Sequence, residues 1–123
     1  MSQSSQSVTE TYDAIVIGAG ISGMYFLYRL RQMGMTARGF EAGSGVGGTW
    51  YWNRYPGARF DSESYTYGYS FSQEVLDEWE WSEHFAAQPE TLRYLNYVAD
   101  KFDLRRDVRF NTRVSNAHFN PTS

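Results

Sequence analysis

Cysteine is missing from this chain. Disulfide frameworks, thiolate nucleophiles and thiolate metal sites are thereby excluded, and the composition fits a reducing compartment. Long apolar runs are missing too. The one extended uncharged stretch, Ala14 to Tyr28, is shorter than the ~20 residues that cross a bilayer, and Gly18, Gly20 and Gly23 interrupt it. Met1 to Asp13 is rich in Ser, Thr and Gln with no apolar core, so it reads as a tail and not as a signal peptide. A cytoplasmic protein is expected. Positive charge is scarce where it would matter for polyanions. No Lys or Arg falls between Arg59 and Arg93, while Asp61, Glu63, Glu74, Asp77, Glu78, Glu80, Glu83 and Glu90 all do. With a net charge of -3, neither a nucleic acid nor an anionic membrane is an expected partner. The two histidines, His84 and His118, lie far apart without ligand-like neighbours, and Asp61 with Glu63 lacks a third ligand. No metal site is expected.

What is plentiful is flat apolar surface. Aromatic residues make up 18% of the chain and hydrophobic residues 41%, a globular composition. Such rings suit a core or a site for a flat ligand, and composition does not separate the two. The pattern along the chain is more specific. Tyr12 to Ile17 is a short β-branched run, as expected of a strand buried on both faces of a parallel sheet. After Gly18 to Gly20, the residues Ile21, Met24, Leu27, Tyr28 and Met33 recur at helical spacing, with Gly34 as the stop. Thr36 to Phe40 reads as a second strand. Residues 42–61 form a Gly- and aromatic-rich loop; Tyr65 to Phe71 reads as extended and Gln73 to Trp81 as a short acidic helix. Pro89 and Glu90 open a further helix whose apolar face is Leu92, Leu95, Val98, Ala99 and Phe102. Asp107 to Asn111 and Val114 to Phe119 read as two more strands. The fold class is α/β: a Rossmann-like domain whose β-turn-α-β unit places parallel strands side by side.

Gly18-Ala19-Gly20-Ile21-Ser22-Gly23 is a GxGxxG sequence between a strand and a helix, with Glu41 at the end of the next strand. Gly18 permits the tight turn, Gly20 lets backbone approach a pyrophosphate, and Gly23 lets helix and strand pack closely. Free N–H groups at the helix start, with Ser22 adding a hydroxyl, suit phosphate oxygens. A carboxylate at Glu41 accepts ribose hydroxyls and repels a 2′-phosphate, which points to FAD or NAD at this site. The fingerprint does not choose between them.

The next segment, GGTWYWNRYPGARFD (residues 47–61), supplies a second glycine pair, two indoles, two arginines and an acid. It resembles the segment following the first nucleotide motif of type I Baeyer–Villiger monooxygenases, closest to the phenylacetone and steroid monooxygenase group. The resemblance continues through YSFSQEVLDEWEWSEHFAAQPETLRYLNYVADKFDLR and covers nearly all of the chain beyond the tail. Other flavin monooxygenases share the GGxW but not the NRYPGxxxD. The chain is accordingly expected to be the opening of an FAD-binding domain (residues 12–123), truncated at its end, after a tail at residues 1–11.

That resemblance implies two cofactors, FAD and NADPH, and a reaction in which O2 and a ketone yield an ester or lactone through a C4a-peroxyflavin. The remainder of the same enzyme is the implied partner. Gly18, Gly20, Ser22, Gly23 and Glu41 would hold the ADP half of FAD. Gly48, Thr49, Trp50, Tyr51 and Trp52 would line the flavin side with Tyr67, and Val114 would meet adenine through its backbone. Asp61 matches an acid that works near the flavin with an arginine supplied elsewhere, and is the catalytic candidate. Arg59, Phe60 and Asp61 match a run that also meets NADP, and Gln88-Pro89 resembles a hinge-like junction. Phe60 departs from the smaller residue, such as Cys, of many relatives. Alone, this stretch is expected to be inactive and marginally stable, because a partial sheet leaves apolar surface uncovered. The rivals are an NAD-binding dehydrogenase and a non-catalytic flavin-binding module.

Overall fold

The computed structural model describes residues 9–122. The chain runs through β1 (Ala14–Ile17), α1 (Ile21–Gln32), β2 (Ala37–Phe40), α2 (Thr49–Trp52), α3 (Ser64–Tyr67), α4 (Gln73–Glu78), α5 (Gln88–Lys101), a 3-10 turn (Arg105–Asp107) and β3 (Val108–Arg109). The three described strands are parallel, in the order β1-β2-β3, with Ala14 opposite Ala37 and Gly39 opposite Val108. α1 has no side-chain cap at its start, Gly20. At its other end Gly34, at φ 75°, reverses the chain, and the Met33, Gly34 and Met35 amides close the last carbonyls. Gly39 shows why the crossover packs tightly: a methyl there would sit 3.3 Å from Leu27 of α1 and from Val108 of β3.

α5 is the second support. Pro89 stands in its first turn, Lys101 in its last, and Tyr94, Leu95, Val98 and Ala99 are fully buried along one face. Ser72 caps α4 by accepting from the Val75 amide at 3.3 Å. Around Tyr94 the rings of Trp79, Trp81 and Tyr69 lie 5.2, 4.8 and 6.1 Å away, a packed cluster. Arg31 ties the layers together. Its guanidinium donates to the carbonyls of Phe102 and Asp103 at the end of α5 and to Asp107 at 2.7 Å. Trp79 and Trp81 are therefore packing residues.

Several sequence expectations need correction. Tyr65 to Phe71 is not extended; Ser64–Tyr67 makes a helical turn, because Thr66 and Tyr67 both bond back to the Glu63 carbonyl. The acidic helix stops at Glu78, and the strand expected at Asp107 to Asn111 shortens to two residues after a 3-10 turn. Val114 to Phe119 is not a strand, since no described segment pairs with it and an unpaired strand has no ladder to hold it. β1 is covered on one face only: Ile15 and Ile17 are 50% and 65% exposed, while Val16 packs inward beneath α1. Most of the expected tail falls outside the described residues. No described helix is long and apolar enough to cross a membrane.

Candidate functional site

The strands end at a ridge made almost wholly of backbone. Gly18, at φ 97°, turns the chain out of β1, and a methyl on it would meet nothing within 4 Å. A methyl on Gly23 would stand 2.0 Å from the Gly18 carbonyl oxygen, so helix and turn touch only because no side chain intervenes. Gly20 also makes a contact that its sequence-based role does not include. Its close neighbour is the second glycine pair: a methyl on Gly48 would lie 2.9 Å from the Gly20 Cα, and the Gly47 amide donates to the Ala19 carbonyl at 3.0 Å. The two glycine loops brace each other.

Glu41 sits beside this ridge, 5% exposed, and both carboxylate oxygens already accept backbone amides. Ala19 donates to one at 2.8 Å and Gly43 to the other at 2.7 Å. The acid thus clasps the fingerprint loop to the loop after β2 before any ligand arrives, and each oxygen keeps a second lone pair for a hydroxyl. Its main chain is equally fixed, with its amide on the Arg109 carbonyl and its carbonyl on the Thr112 amide.

Two clefts open on either side of the ridge and share Ile17, Gly18, Gly20, Gly48 and Thr49. The first, about 430 Å³, is completed by Ala19, Glu41, Trp52, Asn53, Thr112, Arg113 and Val114 along with Phe40 and Ala42. The second, about 280 Å³, is completed by Ile21, Ser22, Gly23, Gly47, Trp50 and Tyr67. Into it faces the uncapped start of α1, whose first turn also lacks an acid. Unsatisfied N–H groups there, with the positive end of the helix dipole, make a cradle for a diphosphate. The donor set therefore fits a dinucleotide cofactor laid across the ridge.

Of the residues assigned to the flavin side, Trp50 and Tyr67 line the second cleft together, joined by an indole N–H donating to the Tyr67 hydroxyl at 2.7 Å. Thr49 borders both clefts. Trp52 lines the first cleft instead, and Tyr51 lines neither, because one helical turn points successive side chains about 100° apart. The Tyr51 ring fills the space left by Gly43 and Gly45, and the Ser44 side chain and amide at its hydroxyl hold the phenol below its usual range. Phe60 is buried and lies flat on Tyr67, centroids 4.2 Å apart, so it backs the second cleft without lining it. Arg59 donates to Glu83 at 3.0 Å and to the Phe85 carbonyl at 2.6 Å, and its backbone bridges Ala87. Asp61 is exposed and borders neither cleft. At the hinge-like junction, the Gln88 side-chain amide donates to the Trp50 carbonyl at 2.5 Å and its backbone amide to the Ala58 carbonyl at 2.8 Å. His84 pairs with Glu63 at 2.9 Å.

Asn53, Thr112 and Arg113 are cleft residues that sequence reasoning missed. A signal existed, since ligands of open α/β sheets sit beyond the carboxyl ends of the strands and residues 110–114 follow β3. Residues 16–79, more than half of the chain, match the NAD(P)-binding Rossmann-like domain. The chain belongs to that family. A Baeyer–Villiger monooxygenase of Pseudooceanicola batsensis is 49% identical over 96% of this chain and 22% of its own length. The solved structure of oxidized steroid monooxygenase bound to NADP is 64% identical, TM-score 0.81, over 81% of this chain and 19% of that one. A complex of OTEMO with FAD and NADP reaches a TM-score of 0.86 at 54% identity, over 94% of this chain and 22% of that one. The chain spans about a fifth of the length of the curated relatives it matches.

Proposed function

We propose that this chain is the FAD-binding part of an NADPH- and O2-dependent Baeyer–Villiger monooxygenase working in the cytoplasm on a small ketone. One observation carries the reading: a glycine ridge with an uncapped helix start separates two clefts, one holding a pre-set acid and the other an aromatic wall. In that geometry the ADP half of FAD lies in the first cleft, with ribose hydroxyls on Glu41 and adenine near Val114. The diphosphate crosses at Gly18, Gly20, Ser22 and Gly23, and the flavin lies toward Thr49, Trp50 and Tyr67.

When bound, the flavin supplies the redox chemistry with hydride from NADPH, and the ketone, O2, NADPH and a proton become ester or lactone, water and NADP. This chain's residues bind and orient. The amides at the start of α1 hold phosphate charge without a counter-ion. Phe60 and the Trp50–Tyr67 hydrogen bond stiffen the flavin wall. Asp61, exposed outside both clefts, stands where an arginine from the rest of the enzyme and NADPH can reach it, and Arg59 holds the adjoining segment in place.

The full-length enzyme provides the test. Flavin absorbance with one ester formed per NADPH oxidised is the expected result; a colourless protein that binds NAD and reduces a carbonyl would replace this reading with the dehydrogenase. An Asp61→Asn variant is expected to keep its FAD while losing ester formation, and normal turnover would remove Asp61 from the mechanism.

A further inference from the structure

The first cleft has two charged side chains on its lining, Glu41 and Arg113, and only one of them is engaged. Glu41 is bonded by the Ala19 and Gly43 amides. Arg113 has an exposed side chain for which the described residues provide no hydrogen bond, ion pair or ring contact. Arg31, Arg59 and Arg105, by contrast, each reach a carboxylate. The Arg113 backbone is nevertheless well placed. Just before it, the Asn111 amide donates to the Gly43 carbonyl and the Thr112 amide to the Glu41 carbonyl, both at 2.9 Å. A pinned main chain thus carries a free guanidinium to the cleft.

Its position within the cleft narrows the ligand. The phosphate-binding ridge is the part shared with the second cleft, whereas Arg113, Thr112 and Val114 belong to the first cleft alone. We infer that Arg113 is a further cofactor-binding residue, its planar guanidinium laid against the outward face of the adenine ring. A guanidinium is weakly hydrated and stacks on aromatic faces, so it covers a purine that would otherwise face water on that side. This inference rests on the placement of the adenosine in the first cleft.

The experiment uses the full-length apoenzyme titrated with FAD and with FMN, which carries the flavin and one phosphate but no adenosine. Wild-type protein is expected to bind FAD more tightly than FMN. Arg113→Ala loses roughly tenfold in FAD affinity with FMN affinity unchanged. Arg113→Lys, which keeps the charge but not the plane, loses nearly as much. Unchanged FAD affinity in Arg113→Ala, or full affinity in Arg113→Lys, overturns the stacking role. A wild-type enzyme that binds FMN as tightly as FAD overturns the adenosine placement itself, and Arg113's role with it.

Discussion

At the strand ends the molecule is built from backbone, and around α5 it is built from rings. Gly20 lies against Gly48, Gly23 against the Gly18 carbonyl, and Glu41 takes its two partners from main-chain amides. Around α5, Trp79, Trp81, Tyr69 and Tyr94 interlock, and the Tyr94 hydroxyl accepts the Tyr69 amide at 2.8 Å. The difference has consequences for tolerance. A backbone contact has no rotamer with which to yield, so one added carbon must displace the chain itself. A ring cluster can shift its rotamers to absorb a change in volume.

Gly23→Ala is the sharpest probe of that contrast. With its methyl 2.0 Å from a carbonyl oxygen, it is expected to cost about 3 kcal/mol or more, at or beyond the upper end of overpacking effects, measured by denaturant unfolding of the full-length enzyme. A loss below about 1 kcal/mol would mean that the ridge relaxes like an ordinary core. Tyr94→Phe comes next. It keeps the ring and strands the buried Tyr69 amide, for about 1–3 kcal/mol. If it matched Gly23→Ala, the ring layer would be as unyielding as the ridge.

Smaller still is the coupling between Trp50 and Tyr67. A double-mutant cycle of Trp50→Phe and Tyr67→Phe should return about 1 kcal/mol for the lost hydrogen bond, and zero coupling would make that contact incidental. The smallest effect is a pH dependence. Burial, then the hydrogen bond to Glu78, pushes the Tyr97 phenol up to about 12. A folded value raised above the unfolded one gives stability that is present below the ordinary phenol value of about 10 and fades as pH rises from there through the folded value. The free energy of unfolding measured across that alkaline window should fall more steeply in wild type than in Tyr97→Phe; parallel curves would show that the phenol carries none of it.

The two regions also differed in how readily they could be read. Strand, glycine turn, helix, strand and acid were legible at Ala14 to Glu41 because each feature is local: a β-branched run, a positive φ that only glycine takes freely, a helical period. Which cleft each side chain of residues 49–52 lines was not, since the three aromatics after Thr49 have no polar face to mark which ring points where. Val114 to Phe119 misled for a related reason. A strand exists only where a neighbour supplies its hydrogen bonds, and that neighbour is not written in the segment itself.

By itself, the order of residues determined the parallel β-α-β unit and the glycine turn at the end of its first strand, because chain stiffness acts over a few neighbouring residues. Tertiary structure alone decided that the second glycine pair braces the first, that Glu41 takes the Ala19 amide, and that Arg113 lines the same cleft as that acid. Those contacts join segments distant along the chain, and close packing at the ends of the strands brings them within reach of one another.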